Sequence, residues 1–87
     1  MARVVLARRA RADLLALSWT QIDAVEDALG LLEREPTAGR ALRGRLTGLR
    51  SLRVGSYRII YQSTDEDRLV RVIAIRHRGT AYGVDPR

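Results

Sequence analysis

Residues 52–61, LRVGSYRIIY, largely alternate apolar and polar side chains on either side of Gly55 and Ser56. Alternation of this kind around a turn dipeptide is typical of two antiparallel strands joined by a tight turn. We therefore predict strands over 49–55 and 56–63. Arg53 and Arg58 lie within this hairpin, in a chain of 87 residues whose 16 basic residues are all arginine. These arginines either face solvent on an open sheet or bind a phosphate.

The segments around the hairpin predict a small α+β fold. The predicted elements are a strand (2–7), two helices (8–18 and 18–36), a basic loop or edge strand (37–48) and a last strand (68–78) after an acidic turn (64–67). Thr20 and Asp23 resemble a capping box, and Pro36 is expected to end the second helix. The order β-α-α-β-β-β predicts one domain, residues 1–87, with an antiparallel sheet and two helices packed on one face.

The composition excludes several classes of function. The chain has no cysteine and one histidine, so we expect neither a disulfide nor a metal site, and no cofactor. The apolar run near Met1 is too short for a signal peptide, and no segment has 18 consecutive apolar residues. We therefore expect a cytoplasmic protein that does not bind membranes.

The charge is unevenly distributed along the chain. The net charge is +6, yet residues 20–35 carry five acids and one arginine, so the remaining residues are strongly basic. Such segregation favours a basic face that meets a polyanion such as RNA. The alternative is that arginine merely replaces lysine and aids solubility. Composition alone leaves both interpretations open.

Counting along the strands predicts which arginines share a face, because side chains alternate along a strand. The more apolar sets should pack under the helices, namely Tyr57, Ile59 and Tyr61 of the hairpin and Leu69, Ile73 and Ile75 of the last strand. Arg58, Arg76 and Arg78 would then project together from the open face. Arg53 lies across the turn, so counting does not assign its face.

Two segments together resemble the RelE/ParE toxin family. The first, LRVGSYRIIYQ, is similar to the family pattern R-V-G-D-Y-R-x-x-Y, and after an acidic turn VIAIRHRGTAY is similar to H-R-x-x-x-Y. The matching residues are Arg53 to Arg58 with Tyr61, and His77 and Arg78 with Tyr82. The resemblance extends over essentially the whole chain and includes the strand and the two helices that precede the hairpin.

This resemblance implies a toxin of a type II toxin–antitoxin system, bound in a hetero-oligomer by a cognate antitoxin protein. The RelE branch consists of metal-independent endonucleases that cut messenger RNA on the ribosome by attack of the 2′-hydroxyl. The resemblance implies that Arg58 and Arg78 stabilise the phosphate. It also implies that Tyr82 stacks on a base or transfers a proton. Tyr82 could instead anchor the tail to the sheet.

The remaining candidates are basic residues and the one histidine. Contacts with messenger or ribosomal RNA are expected from Arg40, Arg43, Arg45, Arg50, Arg53 and Arg76. His77 is a candidate acid–base catalyst, since histidine is the side chain used most often in that role, but by strand counting it faces away from Arg76 and Arg78.

The chain departs from the family pattern at three positions. Leu49 and Ser51 stand where RelE enzymes have two lysines, and Gly83 stands where many relatives have an arginine. Arginine is a poor general base because it does not lose its proton. Two alternatives to the nuclease therefore stay open, a ParE-type inhibitor of DNA gyrase and a catalytically inactive binding module.

Overall fold

The computed structural model describes residues 1–64 and 66–77 and confirms the predicted architecture of two helices packed on one face of a sheet. Its elements are β1 (Arg3–Leu6), α1 (Arg8–Leu15), α2 (Trp19–Arg34), β2 (Arg40–Ala41), a 3-10 helix (Gly44–Leu46), β3 (Arg50–Val54), β4 (Tyr57–Thr64) and β5 (Leu69–His77). The strands form one sheet in the order β1-β5-β4-β3-β2. Within the basic segment 37–48, Arg40–Ala41 forms the edge strand.

The sheet is mixed rather than wholly antiparallel. The neighbours from β2 to β5 are antiparallel, whereas β1 runs parallel to β5, with Arg3 opposite Leu69 and Leu6 opposite Val72. The chain leaves β1 through two helices rather than through a tight turn, so β1 is not forced to run opposite to its neighbour.

A β-bulge interrupts the pairing of β4 with β5. Ile60 lies opposite Ala74 and Tyr61 lies opposite Val72, so Ile73 is an extra residue without a partner across the strand pair. The bulge reverses the alternation of side chains along β5. Consequently the residues before and after Ile73 do not follow one continuous count.

Because of the bulge, the residues of β5 that face the helices differ in part from those predicted. Val70 and Val72 are fully buried under the helices, a side that the sequence count had assigned to Leu69 and Ile73. Ile73 instead packs in a smaller apolar cluster on the opposite face, around Ile60, and Leu69 belongs to neither cluster. The helix-facing positions predicted for Tyr57, Ile59, Tyr61 and Ile75 are confirmed.

Helix α2 covers this core with its apolar face. Val25 and Leu32 are buried, and the helix ends at Arg34 ahead of Pro36, as predicted. Its capping box differs from the predicted one: it joins Ser18, whose N–H donates to Gln21 Oε1 at 3.0 Å, rather than Thr20 and Asp23. In the described part of the chain no helix is long and apolar enough to cross a membrane.

Beyond the end of β1, helix α1 lies along the edge of β5. β1 ends at Leu6, and the N–H of Ala7 donates to the carbonyl oxygen of Val72 at 2.8 Å. Farther along β5, Asp13 Oδ2 accepts a hydrogen bond from the N–H of Ile75 at 3.0 Å. A carboxylate from a helix thus satisfies a strand N–H that would otherwise lack a partner.

The hydroxyl of Tyr61 fixes the loop between α2 and β2 to the sheet. Tyr61 is fully buried, and its hydroxyl donates to the carbonyl oxygen of Pro36 and accepts from the N–H of Gly39, both at 2.8 Å. Arg50 donates to the carbonyl oxygen of Gly39 at 2.8 Å. A Cβ at Gly39 would lie 2.7 Å from the Tyr61 ring, so only glycine fits here.

We expect Tyr61→Phe to destabilise the protein by about 1–3 kcal/mol, since it leaves the buried N–H of Gly39 and the partly buried carbonyl oxygen of Pro36 without their partner. Burial raises the pKa of Tyr61, outweighing the Gly39 hydrogen bond and the charge of Arg50, which lower it. The unfolded phenol, with its ordinary pKa of about 10, therefore ionises first as the pH rises. Stability should be constant below that pH and fall as the pH rises through the pKa of the folded state.

Urea unfolding of the wild type and Tyr61→Phe from neutral to alkaline pH measures both effects. Tyr57→Phe is the matched control, because Tyr57 is only half-buried and makes a ring contact with His77. An alkaline decline that is equally steep in Tyr61→Phe would contradict the assignment to this hydroxyl.

Candidate functional site

Three arginines lie side by side across the open face of the sheet. Arg53 of β3 is directly opposite Arg58 of β4, and Arg58 is directly opposite Arg76 of β5. Directly opposed residues have Cβ atoms about 4.5–5.5 Å apart, so the side chains begin close together. We call Arg53, Arg58 and Arg76 the arginine row.

The arginine row has no acidic counterpart in its strands. β3, β4 and β5 contain no aspartate or glutamate. Arg53 is exposed, whereas Arg58 and Arg76 are half-buried. The Nε and Nη2 atoms of Arg76 are buried, and within residues 1–64 and 66–77 neither has a hydrogen-bond acceptor. Because such donors are costly to leave unsatisfied, an anion on this face would be stabilising.

The hairpin turn brings the row together. Gly55 has a φ of +59°, a left-handed conformation that glycine adopts without strain, and the two-residue turn sets Arg53 opposite Arg58. The structure therefore assigns Arg53 to the open face, which counting across the turn had not done. It places Arg58 and Arg76 on that face as counting predicted. Arg78 and Tyr82 lie outside the described residues.

The other predicted RNA contacts occupy different surfaces. Arg40 pairs with Ser51 and so faces the same side as the row, while Arg43 and Arg45 are exposed between β2 and β3. Arg50 lies on the opposite side, where it donates to the carbonyl oxygens of Gly39 and Thr37. These bonds favour a structural role for Arg50.

His77 lies on the side of the sheet away from the arginine row, and Leu49 and Ser51, which replace the two lysines of the family pattern, are buried. His77 pairs with Tyr57, and the two ring centroids are 5.4 Å apart, edge to face, on the side away from Arg76 as expected. Leu49 is buried in the apolar cluster around Ile60, and Ser51 is 6% exposed. Neither Leu49 nor Ser51 offers a cation to the open face.

Sequence counting missed polar residues on the same face. Arg71 alternates with Leu69 and Ile73, which counting placed under the helices, but the bulge puts it on the open side, opposite Gln62. Arg8 and Arg9 at the start of α1 also border this face. A signal for them was present in the sequence, because two arginines stand at a helix start where acidic residues are usual.

This arrangement can bind a phosphate but does not by itself transfer protons. Guanidinium groups form paired hydrogen bonds with phosphate oxygens and keep their charge at any physiological pH. They can therefore stabilise negative charge on phosphorus without acting as a base. Among the described residues, no group of three His, Asp or Glu side chains could hold a metal ion.

Comparison with known protein families matches nearly the whole chain. The family described as the ParE toxin of the type II toxin–antitoxin system parDE matches residues 4–82. Toxin RelG of Mycobacterium tuberculosis is 42% identical over 59 residues, which cover 67% of this chain and 68% of RelG. Toxin RelE of the same organism is 38% identical over 63 residues, covering 71% of this chain and 65% of that toxin.

Comparison with solved structures gives the same grouping. A chain in the crystal structure of the toxin–antitoxin complex RelBE2 from Mycobacterium tuberculosis superposes with a TM-score of 0.80 and 39% sequence identity. The superposition covers 88% of this chain and 98% of that chain.

We expect inorganic phosphate to raise the melting temperature of the wild type more than sodium chloride of equal ionic strength does. Arg76→Met should show a smaller rise, and it should melt higher than the wild type without phosphate, because it removes buried donors that have no acceptor among the described residues. One kcal/mol corresponds to about 4–8 °C for a domain of this size. Differential scanning fluorimetry measures both shifts. An equal phosphate effect in both proteins would show that the anion binds away from Arg76.

Proposed function

The chain belongs to the ParE toxin family and is a RelE-like toxin of a type II toxin–antitoxin system, and we propose that it cuts messenger RNA bound to the ribosome. The observation that supports this activity is the arginine row, with its buried donors and no carboxylate in the same strands. A substrate on the ribosome implies that the toxin acts in the cytoplasm.

The proposed reaction needs no group beyond the RNA and protein side chains. The 2′-oxygen of one nucleotide attacks the adjacent phosphorus as its proton leaves, and a new oxygen–phosphorus bond forms. The bond from phosphorus to the 5′-oxygen of the next nucleotide breaks, and that oxygen takes up a proton. The products are a 2′,3′-cyclic phosphate and a free 5′-hydroxyl.

Arg58 and Arg76 are proposed to stabilise the extra negative charge that develops on the phosphate during this attack. They lie directly opposite each other, so two guanidinium groups can reach the oxygens of one phosphate. Donors preorganised at a developing charge lower the barrier by about 2.7–4 kcal/mol each. Arg53, the exposed end of the row, is proposed to hold the neighbouring RNA backbone.

The proton transfers are assigned elsewhere, because arginine does not act as a base. Leu49 and Ser51 supply no cation or base, and His77 faces away from the row. We propose that Arg78 adds charge at the phosphate and that Tyr82 stacks on a base or moves a proton, as the family resemblance implies. With so few proton-transfer groups, the chemistry is proposed to depend on RNA positioned by the ribosome.

A cognate antitoxin is the proposed protein partner. The similar RelBE2 structure is a toxin–antitoxin complex, and this supports the same kind of hetero-oligomer here. An antitoxin that binds only the folded toxin should raise its stability as the antitoxin concentration increases.

Inhibition of DNA gyrase is the second candidate function. The matching family is that of ParE, and the buried Leu49 and Ser51 leave the usual lysine positions without a cation. A gyrase inhibitor would block DNA supercoiling in a purified system and would leave messenger RNA intact.

The deciding experiment compares induced expression of the wild type and Arg58→Ala, with messenger 5′ ends mapped by primer extension. We expect growth arrest and new cuts within translated codons for the wild type. Arg58→Ala should cut about 10²–10³-fold more slowly, the usual effect of removing one preorganised donor. A ribosome-programmed cleavage assay with purified protein measures the rate.

Arg34→Ala is the matched control, since Arg34 is an exposed arginine at the end of α2, away from the open face. It should cut like the wild type, and antitoxin binding should show that all three proteins are folded. Arrest without cuts would favour the gyrase function. No arrest at all would indicate a binding module without toxic activity.

A further inference from the structure

A cleft of about 690 Å³ opens on the same face of the sheet as the arginine row. Gln62 of β4 and Arg71 of β5, which lie opposite each other, belong to its sheet side. Arg8 and Arg9 line it from the start of α1, and Thr47 lines it from the segment before β3. We call it the Arg71 cleft.

The Arg71 cleft is lined by positively charged side chains. Three of its lining residues, Arg8, Arg9 and Arg71, are arginines, and none of its lining residues is acidic. In the part of the chain that the structure describes, these three guanidinium groups make no hydrogen bond or ion pair. A cavity surrounded by charged donors without acceptors favours an anion, and guanidinium geometry favours a phosphate.

The start of α1 adds to the attraction. Ala7 offers no side-chain cap, and the first turn contains no acidic residue. The first N–H to bond within the helix is that of Arg11, which donates to the carbonyl oxygen of Ala7 at 3.0 Å. The preceding N–H groups and the positive end of the helix dipole therefore attract an anion, as the arginines do.

The cleft and the row lie along one strand at a spacing that suits a nucleic-acid backbone. Arg58 and Gln62 face the same side of β4, four residues apart, which corresponds to about 13 Å. Ile60 lies between them on this side but is fully buried, whereas Ile73, which packs against it, is half-buried and lines the cleft. The apolar side chain of Ile73 in the cleft suits contact with an RNA base.

We propose that the Arg71 cleft is a second phosphate subsite for single-stranded RNA and binds the phosphate two linkages away from the one in the arginine row. This inference rests on the proposed function. Arg71 and Gln62 contact that phosphate from the sheet, and Arg8 and Arg9 contact it from the helix. The cleft positions the RNA and takes no part in bond breaking.

The test measures binding of a fluorescent 2′-O-methyl hexanucleotide, which cannot be cut, by anisotropy over a range of salt concentrations. Each phosphate that a variant no longer binds should make the slope of log affinity against log salt shallower by about 0.7. We expect this change and weaker binding in Arg71→Gln and in the double variant Arg8→Gln with Arg9→Gln. Arg34→Gln, with the same charge change on another surface, should bind like the wild type.

The outcomes separate this proposal from the proposed function. An unchanged slope and affinity in Arg71→Gln and in the double variant would overturn the subsite, as would a wild type that does not bind the oligonucleotide. Neither result bears on cleavage, which the Arg58→Ala comparison on ribosomes decides. Binding that depends on Arg71 but not on Arg58 would support the subsite and count against the proposed role of the row.

Discussion

The extra residue Ile73 in β5 is the constraint on which both faces of the sheet depend. Before it, Val70 and Val72 face the helices, and after it Ile75 does so as well. With unbroken alternation, the strand that buries Val70 and Val72 would also turn Arg76 under the helices. Burying a guanidinium there without an acceptor would cost several kcal/mol. The bulge thus lets one strand contribute to the apolar core and to the arginine row.

The sequence predicted the helices and strands well, but it predicted only in part which side chains lie on each face of the sheet. The hairpin, the two helices and the shared face of Arg58 and Arg76 follow from alternation and turn signals near those residues. Counting failed across Ile73, since a bulge leaves no clear mark in a run of apolar β-branched residues. For this reason Arg71 was missed, and Ile73 was assigned to the wrong face. The parallel pairing of β1 also escaped prediction, because sequence pattern does not set the direction of strands that are distant in the chain.

The molecule is electrostatically two-sided. Asp23, Glu26 and Asp27 are exposed on α2, in the helix layer, whereas β3 to β5 carry basic residues and no acids on the open face. Such a charge distribution orients a protein as it approaches a polyanion and speeds productive encounters. The acidic helix layer also repels a polyanion, which disfavours binding through the helices rather than through the open face of the sheet. Within residues 1–64 and 66–77, two buried donors of Arg76 have no acceptor, and buried donors of this kind reduce stability unless an acceptor reaches them.

The pairing of β1 with β5 has a consequence for synthesis of the chain. It joins residue 3 to residue 69, so the first strand has no partner in the sheet until β5 has emerged from the ribosome. Contacts between such distant residues form late and slow the folding of a domain. A nascent chain that lacks β5 also lacks Arg76 and the strand that holds α1 through Asp13. The arginine row is therefore incomplete until β5 has been synthesised and has paired with both β4 and β1.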